Sequence, residues 1–279
     1  MTESATHHPH ARRTPGTPCW ASLLVHELAG SQEFYHQLFG WEFYSGPQQL
    51  GPYVRAILDG QEVAGLGEIA PGRDLSASWL PYMASDDADA TAGLIRERGG
   101  TVAVGPLDAD EAGRMAIASD TVGAIFGVWQ TTPQQVGLSP AEAGMPGTPV
   151  WYELVTGDAS AAGHFYPAVF GYQPRAETPV EALAETEAAP VTDYLTLNLD
   201  GRPVAGIQGV GRELPRERGP HWKTYFAVGD ADATIRRVEA LGGRMVHEPH
   251  DSPYGRVATA ADPEGAQFSV IAAVEPLSA

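Results

Sequence analysis

The 279-residue chain carries one ordered series of motifs twice, and this repetition constrains its fold more than any other feature. The first two motifs recur 131 residues later, and small insertions change the separation further along the chain. The matched pairs, in chain order, are GTPCW and GTPVW, FYHQLFGW and FYPAVFGY, LDGQEVAGL and LDGRPVAGI, DADATAGLIRERGG and DADATIRRVEALGG, and GRMAIASDTVGAIFGV and GRVATAADPEGAQFSV. Preserved order with little drift indicates the duplication of one structural unit.

The junction between the two copies lies in TTPQQVGLSPAEAGMPG, whose proline and glycine content is typical of a linker. We therefore predict a first domain at 17–130, a linker at 131–147 and a second domain at 148–273. Residues 1–16 are expected to form a disordered N-terminal tail, and 274–279 a C-terminal tail.

Each repeat divides further into two similar modules. The run FYHQLF, with apolar residues at helical spacing and a glycine after it, predicts a short helix. The run DDADATAGLIRERGG begins with aspartates suited to an N-cap and ends in two glycines, which predicts a second helix. One strand-like run precedes each helix and about three follow it, with a hairpin turn expected at Asp59–Gly60. The sequence thus predicts an α+β fold of four βαβββ modules.

This set of motifs, doubled in order, resembles the vicinal oxygen chelate superfamily, which includes glyoxalase I, extradiol dioxygenases and bleomycin resistance proteins. The resemblance covers nearly all of 17–273. It implies that modules pair into two cupped mixed β-sheet domains, each holding its ligand in the cup. The tandem form is similar to accessory proteins of anthracycline-type natural-product pathways. Whether modules pair within a repeat or across the two repeats is left open.

The resemblance also implies where a metal ion would be held, because members of the superfamily use His and carboxylate side chains at cup-facing strand positions. Counting back from the acidic residue before each helix gives Trp20 and Leu80 in the first repeat, and Trp151 and Lys223 in the second. Counting forward from the Asp of each last hairpin gives Gly127 and Ser269. None of these six residues supplies the imidazole or carboxylate that such metals need. We therefore expect no metal and no other cofactor. His221 is at best a lone ligand, and His247 and His250 are expected in a loop over the cup mouth.

Aromatic residues take the place of the missing ligands. Trp20 and Trp151 fall on the floor of each cup, where an indole offers stacking area and an N–H donor to a flat ligand. The alternative is that both tryptophans fill the cup as core. Strand parity adds Ser22 and Tyr82 in the first repeat, and Glu153 and Tyr225 in the second, as ligand-binding candidates. Leu80 and Lys223, at the counted ligand positions, are candidates too, and so are Tyr53 and Tyr194, which open the middle hairpins.

Three charged residues leave alternatives open. Glu153 is the one acid predicted inside a cup, and it is a weak candidate for a catalytic general base. It could instead pair with Lys223 or accept a hydrogen bond from a ligand. Arg114 and Arg256 occupy matching hairpins that border the cup in the superfamily, so they are ligand-binding candidates, with a surface ion pair as the alternative.

Charge and composition narrow the choice of partners. The chain has 17 Lys and Arg against 35 Asp and Glu, a net charge of −18, which disfavours nucleic acid and favours cationic small molecules. The single cysteine excludes a disulfide within the chain and suits a cytoplasmic location. No apolar run approaches the roughly 20 residues of a membrane span, so we expect no membrane partner. The chain could be a monomer or a homodimer.

Three functions remain in competition. The first is a metal-free binding protein for an aromatic natural product, with a cationic polycyclic compound as one form of it, acting in sequestration, self-resistance or support of a biosynthetic oxygenase. The second is an oxygenase, lyase or isomerase of polyketide-type metabolism that uses the cup. The third is a purely structural role for a degenerate repeat, in which the tryptophans pack shut.

Overall fold

The computed structural model describes residues 13–48, 51–73, 75–130, 144–177, 193–214 and 218–273. The chain up to residue 12, most of the expected linker (131–143) and the C-terminal tail lie outside the described residues, so the expectations for those segments are not tested.

The four modules all have the predicted order of one strand, one helix and three strands. The first repeat consists of β1 Pro18–Val25, α1 Leu28–Phe39, β2 Glu42–Ser45, β3 Tyr53–Leu58, β4 Gln61–Glu68, β5 Ser78–Ala84, α2 Ala88–Glu97, β6 Thr101–Asp108, β7 Arg114–Ser119 and β8 Ile125–Gln130. The second consists of β9 Pro149–Thr156, α3 Ala159–Phe170, β10 Gln173–Glu177, β11 Asp193–Leu199, β12 Arg202–Gly209, β13 His221–Ala227, α4 Ala231–Ala240, β14 Arg244–Ser252, β15 Gly255–Ala261 and β16 Gln267–Ala273. The predicted α+β class is confirmed.

Local sequence signals set the helix ends and the hairpin turns. Asp87, Asp158 and Asp230 each cap a helix, accepting a hydrogen bond from the backbone N–H three residues later at 2.8 to 2.9 Å. At the Asp59–Gly60 turn both residues have positive φ, 49° and 77°, as a two-residue type I′ hairpin requires. This turn fixes the β3–β4 register and hence the side chains that reach the cup.

Each repeat forms its own eight-stranded sheet. The strand order is β2-β3-β4-β1-β5-β8-β7-β6 in the first sheet, and the second repeats it as β10-β11-β12-β9-β13-β16-β15-β14. The two modules of one repeat meet through the antiparallel pair β1–β5 or β9–β13. The question left open by the sequence is therefore answered: modules pair within a repeat.

One aromatic core joins the two repeats. Helix α1 of the first repeat packs on the second sheet, where the rings of Phe39 and Phe226 have centroids 5.2 Å apart. Helix α3 of the second repeat packs in the same way on the first sheet, with Tyr166 5.5 Å from Phe126. Trp79 lies in this core, because its side chain leaves β5 on the face opposite to the neighbouring Leu80, and so does its counterpart Trp222.

Two equivalent hydrogen-bond chains cross between the repeats. Trp79 Nε1 donates to the Tyr35 hydroxyl at 3.2 Å, and that hydroxyl donates to Asp262 Oδ2 at 3.1 Å. In the mirrored chain, Trp222 Nε1 donates to Tyr166 at 3.0 Å and Tyr166 donates to Asp120 at 2.9 Å. Burial raises the pKa of the Asp262 carboxyl to about 6 and also raises the pKa of Asp120. Each aspartate thus ties the turn of a last hairpin to a helix of the other repeat.

Candidate functional site

The cup of each repeat is the sheet face opposite the shared core. In the first cup the polar groups satisfy one another: Trp20 Nε1 donates to Tyr53 OH at 2.9 Å and to Ser22 Oγ at 3.1 Å. The Ser22 and Tyr53 hydroxyls share a further hydrogen bond of 2.8 Å. Burial raises the pKa of the Tyr53 hydroxyl, so it stays protonated at neutral pH.

Apolar side chains fill the rest of the first cup. Trp20, Leu80 and Tyr82 are each no more than 6% exposed and form one cluster with Met115. The Tyr82 ring lies directly over Gly127, and a Cβ at that glycine would overlap the ring. The indole of Trp20 is therefore part of a packed floor in the first cup.

The second cup is built around a fully buried carboxylate. Glu153 Oε1 accepts a hydrogen bond from Tyr194 at 2.8 Å, and Oε2 accepts one from Tyr225 at 2.7 Å. Lys223 Nζ lies 3.9 Å from Oε2 and 5.6 Å from the centre of the Tyr225 ring. Burial first, and the Glu153 charge second, raise the pKa of Tyr194 well above its usual value. Both tyrosines therefore act as hydrogen-bond donors to Glu153.

Comparison with known proteins agrees with this architecture. A model of the glyoxalase-like domain matches residues 152–271. The chain is 38% identical over 275 residues to the anthracycline biosynthesis protein DnrV of Streptomyces peucetius, with 93% of this chain and 94% of that protein covered. The chain belongs to the glyoxalase-like family of the vicinal oxygen chelate superfamily.

Two solved structures share the fold of this glyoxalase-like chain. One is the Mn(II)-bound glyoxalase from Novosphingobium aromaticivorans, with a TM-score of 0.62 at 14% identity, covering 92% of this chain and 82% of that one. The other is the 2,3-dioxygenase LapB from Pseudomonas sp. KL28, with a TM-score of 0.64 at 14% identity, covering 93% of each chain. Identity this low supports the likeness of fold alone.

The donor groups of the glyoxalase-like cups do not fit the divalent metal that the superfamily implies. In the first cup the Tyr82 ring covers Gly127, where the closing carboxylate ligand would stand. In the second cup the corresponding Ser269 is hydrogen-bonded to Thr259 at 2.7 Å, and both Glu153 oxygens accept from tyrosines. Among the described residues, no group of three or more His, Cys, Asp or Glu side chains is placed to hold a metal ion.

The two cups differ in polarity at matched positions, which the motif comparison alone did not reveal. Seven residues of the first cup are replaced by more polar ones in the second. The pairs are Ser22 and Glu153, Gly67 and Gln208, Leu80 and Lys223, Val104 and His247, Leu107 and His250, Ile117 and Thr259, and Gly127 and Ser269. The two copies thus share one fold, and the second cup carries more hydrogen-bonding side chains than the first.

The location expected for two histidines was wrong. His247 and His250 belong to strand β14 rather than to a loop, and they pair with the cup-facing residues Thr259 and Val257 of β15. A bulge between the two histidines lets both face the same side although they are three residues apart. Alternation of polar residues along the sequence does not predict such a bulge. The sequence analysis also missed Gln208, because nothing in the neighbouring sequence distinguishes it.

The two arginines, for which the sequence left a ligand contact and a surface ion pair open, lie on the helix side of their sheets. Arg114 forms ion pairs with Asp89 of α2 at 2.6 Å and with Asp108 at 2.8 Å. Arg256 pairs with Asp232 of α4 and with Asp251 in the equivalent arrangement. The surface ion pair, which was the alternative interpretation, accounts for both residues.

The structure brings the remaining predicted site residues together in two groups: Trp20, Ser22, Tyr53, Leu80 and Tyr82 in one cup, and Trp151, Glu153, Tyr194, Lys223 and Tyr225 in the other. Whether either group binds a ligand stays a prediction. None of the helices in the described part of the chain is long and apolar enough to cross a membrane.

Proposed function

We propose that this glyoxalase-like chain binds a planar polycyclic aromatic compound of natural-product metabolism without a metal ion. The observation that carries the proposal is that the superfamily's ligand positions hold no imidazole or carboxylate, while a tryptophan occupies the first position in each cup and the Tyr82 ring lies over Gly127. An aromatic wall gains free energy from stacking on a flat ligand, about 0.5–1.5 kcal/mol per ring pair beyond burial.

The similarity to DnrV supports the chemical class of the ligand. That protein is named for anthracycline biosynthesis, and anthracyclines are polycyclic aromatic compounds. The match extends over nearly the whole of both chains, so both repeats are shared. The net charge of −18 would also concentrate a ligand that carries a basic group. Sequestering such a product would protect the cell or relieve product inhibition of a biosynthetic oxygenase.

A metal-free enzyme is the second candidate, and the Glu153 network favours it. A fully buried carboxylate beside two tyrosines and a lysine contains the groups that an isomerase or lyase uses for acid–base chemistry. Each Glu153 oxygen already accepts one tyrosine hydroxyl hydrogen and keeps a second lone pair that could take a proton from a ligand. The network therefore allows acid–base chemistry, whereas the binding proposal is supported by the aromatic lining of the cups.

Metal analysis and ligand titration together test the proposal. Protein stripped with a chelator should bind polycyclic aromatic quinones as tightly as untreated protein, measured by calorimetry and by quenching of tryptophan fluorescence. Trp151→Leu should lower the affinity by about two- to tenfold, the range of one stacking contact, because it removes the aromatic ring. A stoichiometric iron, manganese or zinc ion required for binding, or no saturable binding, would refute the proposal. Conversion of the ligand into a product would favour the enzyme.

A further inference from the structure

We propose that the second cup is the ligand site and that Gln208 selects ligands that carry a hydrogen-bond donor, such as a phenolic hydroxyl or an amine. This inference rests on the proposed function and specifies the cup and the chemistry of recognition.

Unpaired atoms in the wall of the second cup carry the inference. Gln208 is 4% exposed, and its Oε1 is buried without a hydrogen-bond partner. The side chain points into the cup, because a Cβ on Gly206, two residues earlier on the same strand face, would meet the Tyr194 hydroxyl and Glu153. A buried acceptor without a partner costs folding free energy, which a donating ligand would return.

Two further unpartnered groups lie on the same cup face. The Trp151 indole N–H is a buried donor and, although it lies near the Tyr194 hydroxyl, it makes no well-aligned hydrogen bond. His250 Nε2 is likewise buried and unpartnered. Because His250 Nδ1–H donates to the Glu248 carbonyl at 3.2 Å, Nε2 of the neutral imidazole is left as an acceptor. The indole N–H can meet a ligand carbonyl and the two acceptors can meet ligand hydroxyl or amino groups, an arrangement that suits a hydroxyquinone or an aminoquinone.

The first cup lacks this arrangement. Gly67 stands at the position of Gln208 and the Tyr53 ring packs against it, while Trp20 Nε1 is fully hydrogen-bonded. The other unpartnered atoms do not form an equivalent site: Trp129 Nε1 in the first cup is a donor, Gln61 Oε1 lies beside the β3–β4 turn, and Thr224 is on the core side of β13.

Two single variants, each compared with the wild type for two ligands, test the inference. The ligands are a dihydroxyanthraquinone and its dimethyl ether, which keeps the ring system but removes the donors. The proteins are the wild type, Gln208→Leu and the control Gln61→Leu, which removes an unpartnered glutamine oxygen outside the second cup. We expect the wild type and Gln61→Leu to prefer the dihydroxy compound by about tenfold, the weight of one net hydrogen bond.

Gln208→Leu should abolish this preference by weakening the binding of the dihydroxy compound alone. Its melting temperature without ligand should equal or exceed that of the wild type, because a buried unpaired acceptor is removed. Equal affinities for the two ligands in the wild type, or a preference that survives in Gln208→Leu, would overturn the inference while leaving the proposed function intact. Failure of both ligands to bind would refute the proposed function and the inference with it.

Discussion

Replacement of Asp262 by asparagine should change how the stability of the protein depends on pH. The Asp262 side chain is buried at the junction of the repeats, where it accepts from the Tyr35 hydroxyl and from the backbone N–H groups of Glu264 and Ala266. Burial raises its pKa from 3.8 to about 6, and the nearby Glu264 carboxylate adds to the shift. Asp262→Asn keeps the size of the side chain and removes its titration.

The sign and size of the effect follow from proton linkage. Because the folded-state pKa is higher than the unfolded one, the folded state binds the proton more tightly. The stability gained in this way is complete below about pH 4 and is lost as the pH rises through about 6. A shift of about two pKa units corresponds to about 3 kcal/mol. The free energy of unfolding of Asp262→Asn, relative to wild type, should therefore rise by about 3 kcal/mol between pH 4 and pH 7.5.

Urea unfolding at a series of pH values, followed by both fluorescence and circular dichroism, measures this difference. In Asp262→Asn an amide donor faces Tyr35, which costs about 1 kcal/mol at every pH. This cost shifts the whole curve of stability against pH without changing its slope. Other carboxylates titrate in both proteins and cancel in the comparison. Parallel pH profiles for Asp262→Asn and wild type would refute the raised pKa and the burial from which it was inferred.

Two further substitutions test the contrast between the cups. Gly127→Ala should force the Tyr82 ring from its place and lower the free energy of unfolding by about 1–3 kcal/mol. The control Gly93→Ala, in α2 with open space around it, should be neutral or stabilise the protein by about 0.5–1 kcal/mol. Equal effects of the two substitutions in urea unfolding would contradict the packing of Tyr82. Glu153→Gln should destabilise the folded protein by about 3 kcal/mol, because the buried Lys223 ammonium loses its carboxylate. Adding Lys223→Leu should restore much of the lost stability. A double variant no more stable than Glu153→Gln alone would argue against this ion pair.

Much of the fold was predictable because its signals are local. The aspartates at helix starts, the glycines at helix ends and the Asp59–Gly60 turn each act through hydrogen bonds or backbone angles within a few residues. The duplication supplied a second, independent view of every element. Strand alternation then placed Trp20 and Tyr82 on the cup face, and the structure agrees for both.

The predicted site was less complete because its residues meet across strands. Gln208 carries no local mark, and its importance lies in an unpaired oxygen that is apparent only when the neighbouring strands are in place. His247 and His250 reach the cup through a bulge, which breaks the alternation on which the sequence analysis relied. Arg114 was assigned to the cup by resemblance, but its charge is attracted to Asp89 on α2.

The sequence by itself determined the four βαβββ modules and their grouping into two repeats. It also determined that the positions expected for the superfamily's metal ligands hold other residue types. These properties depend only on residue type and on spacing along the chain. Only the tertiary structure decided that modules pair within a repeat, that Tyr82 closes the first cup over Gly127 and that buried atoms of the second cup remain unpaired. The physical reason is that a hydrogen bond or a steric overlap depends on the register between strands that lie tens of residues apart, and no local signal encodes that register.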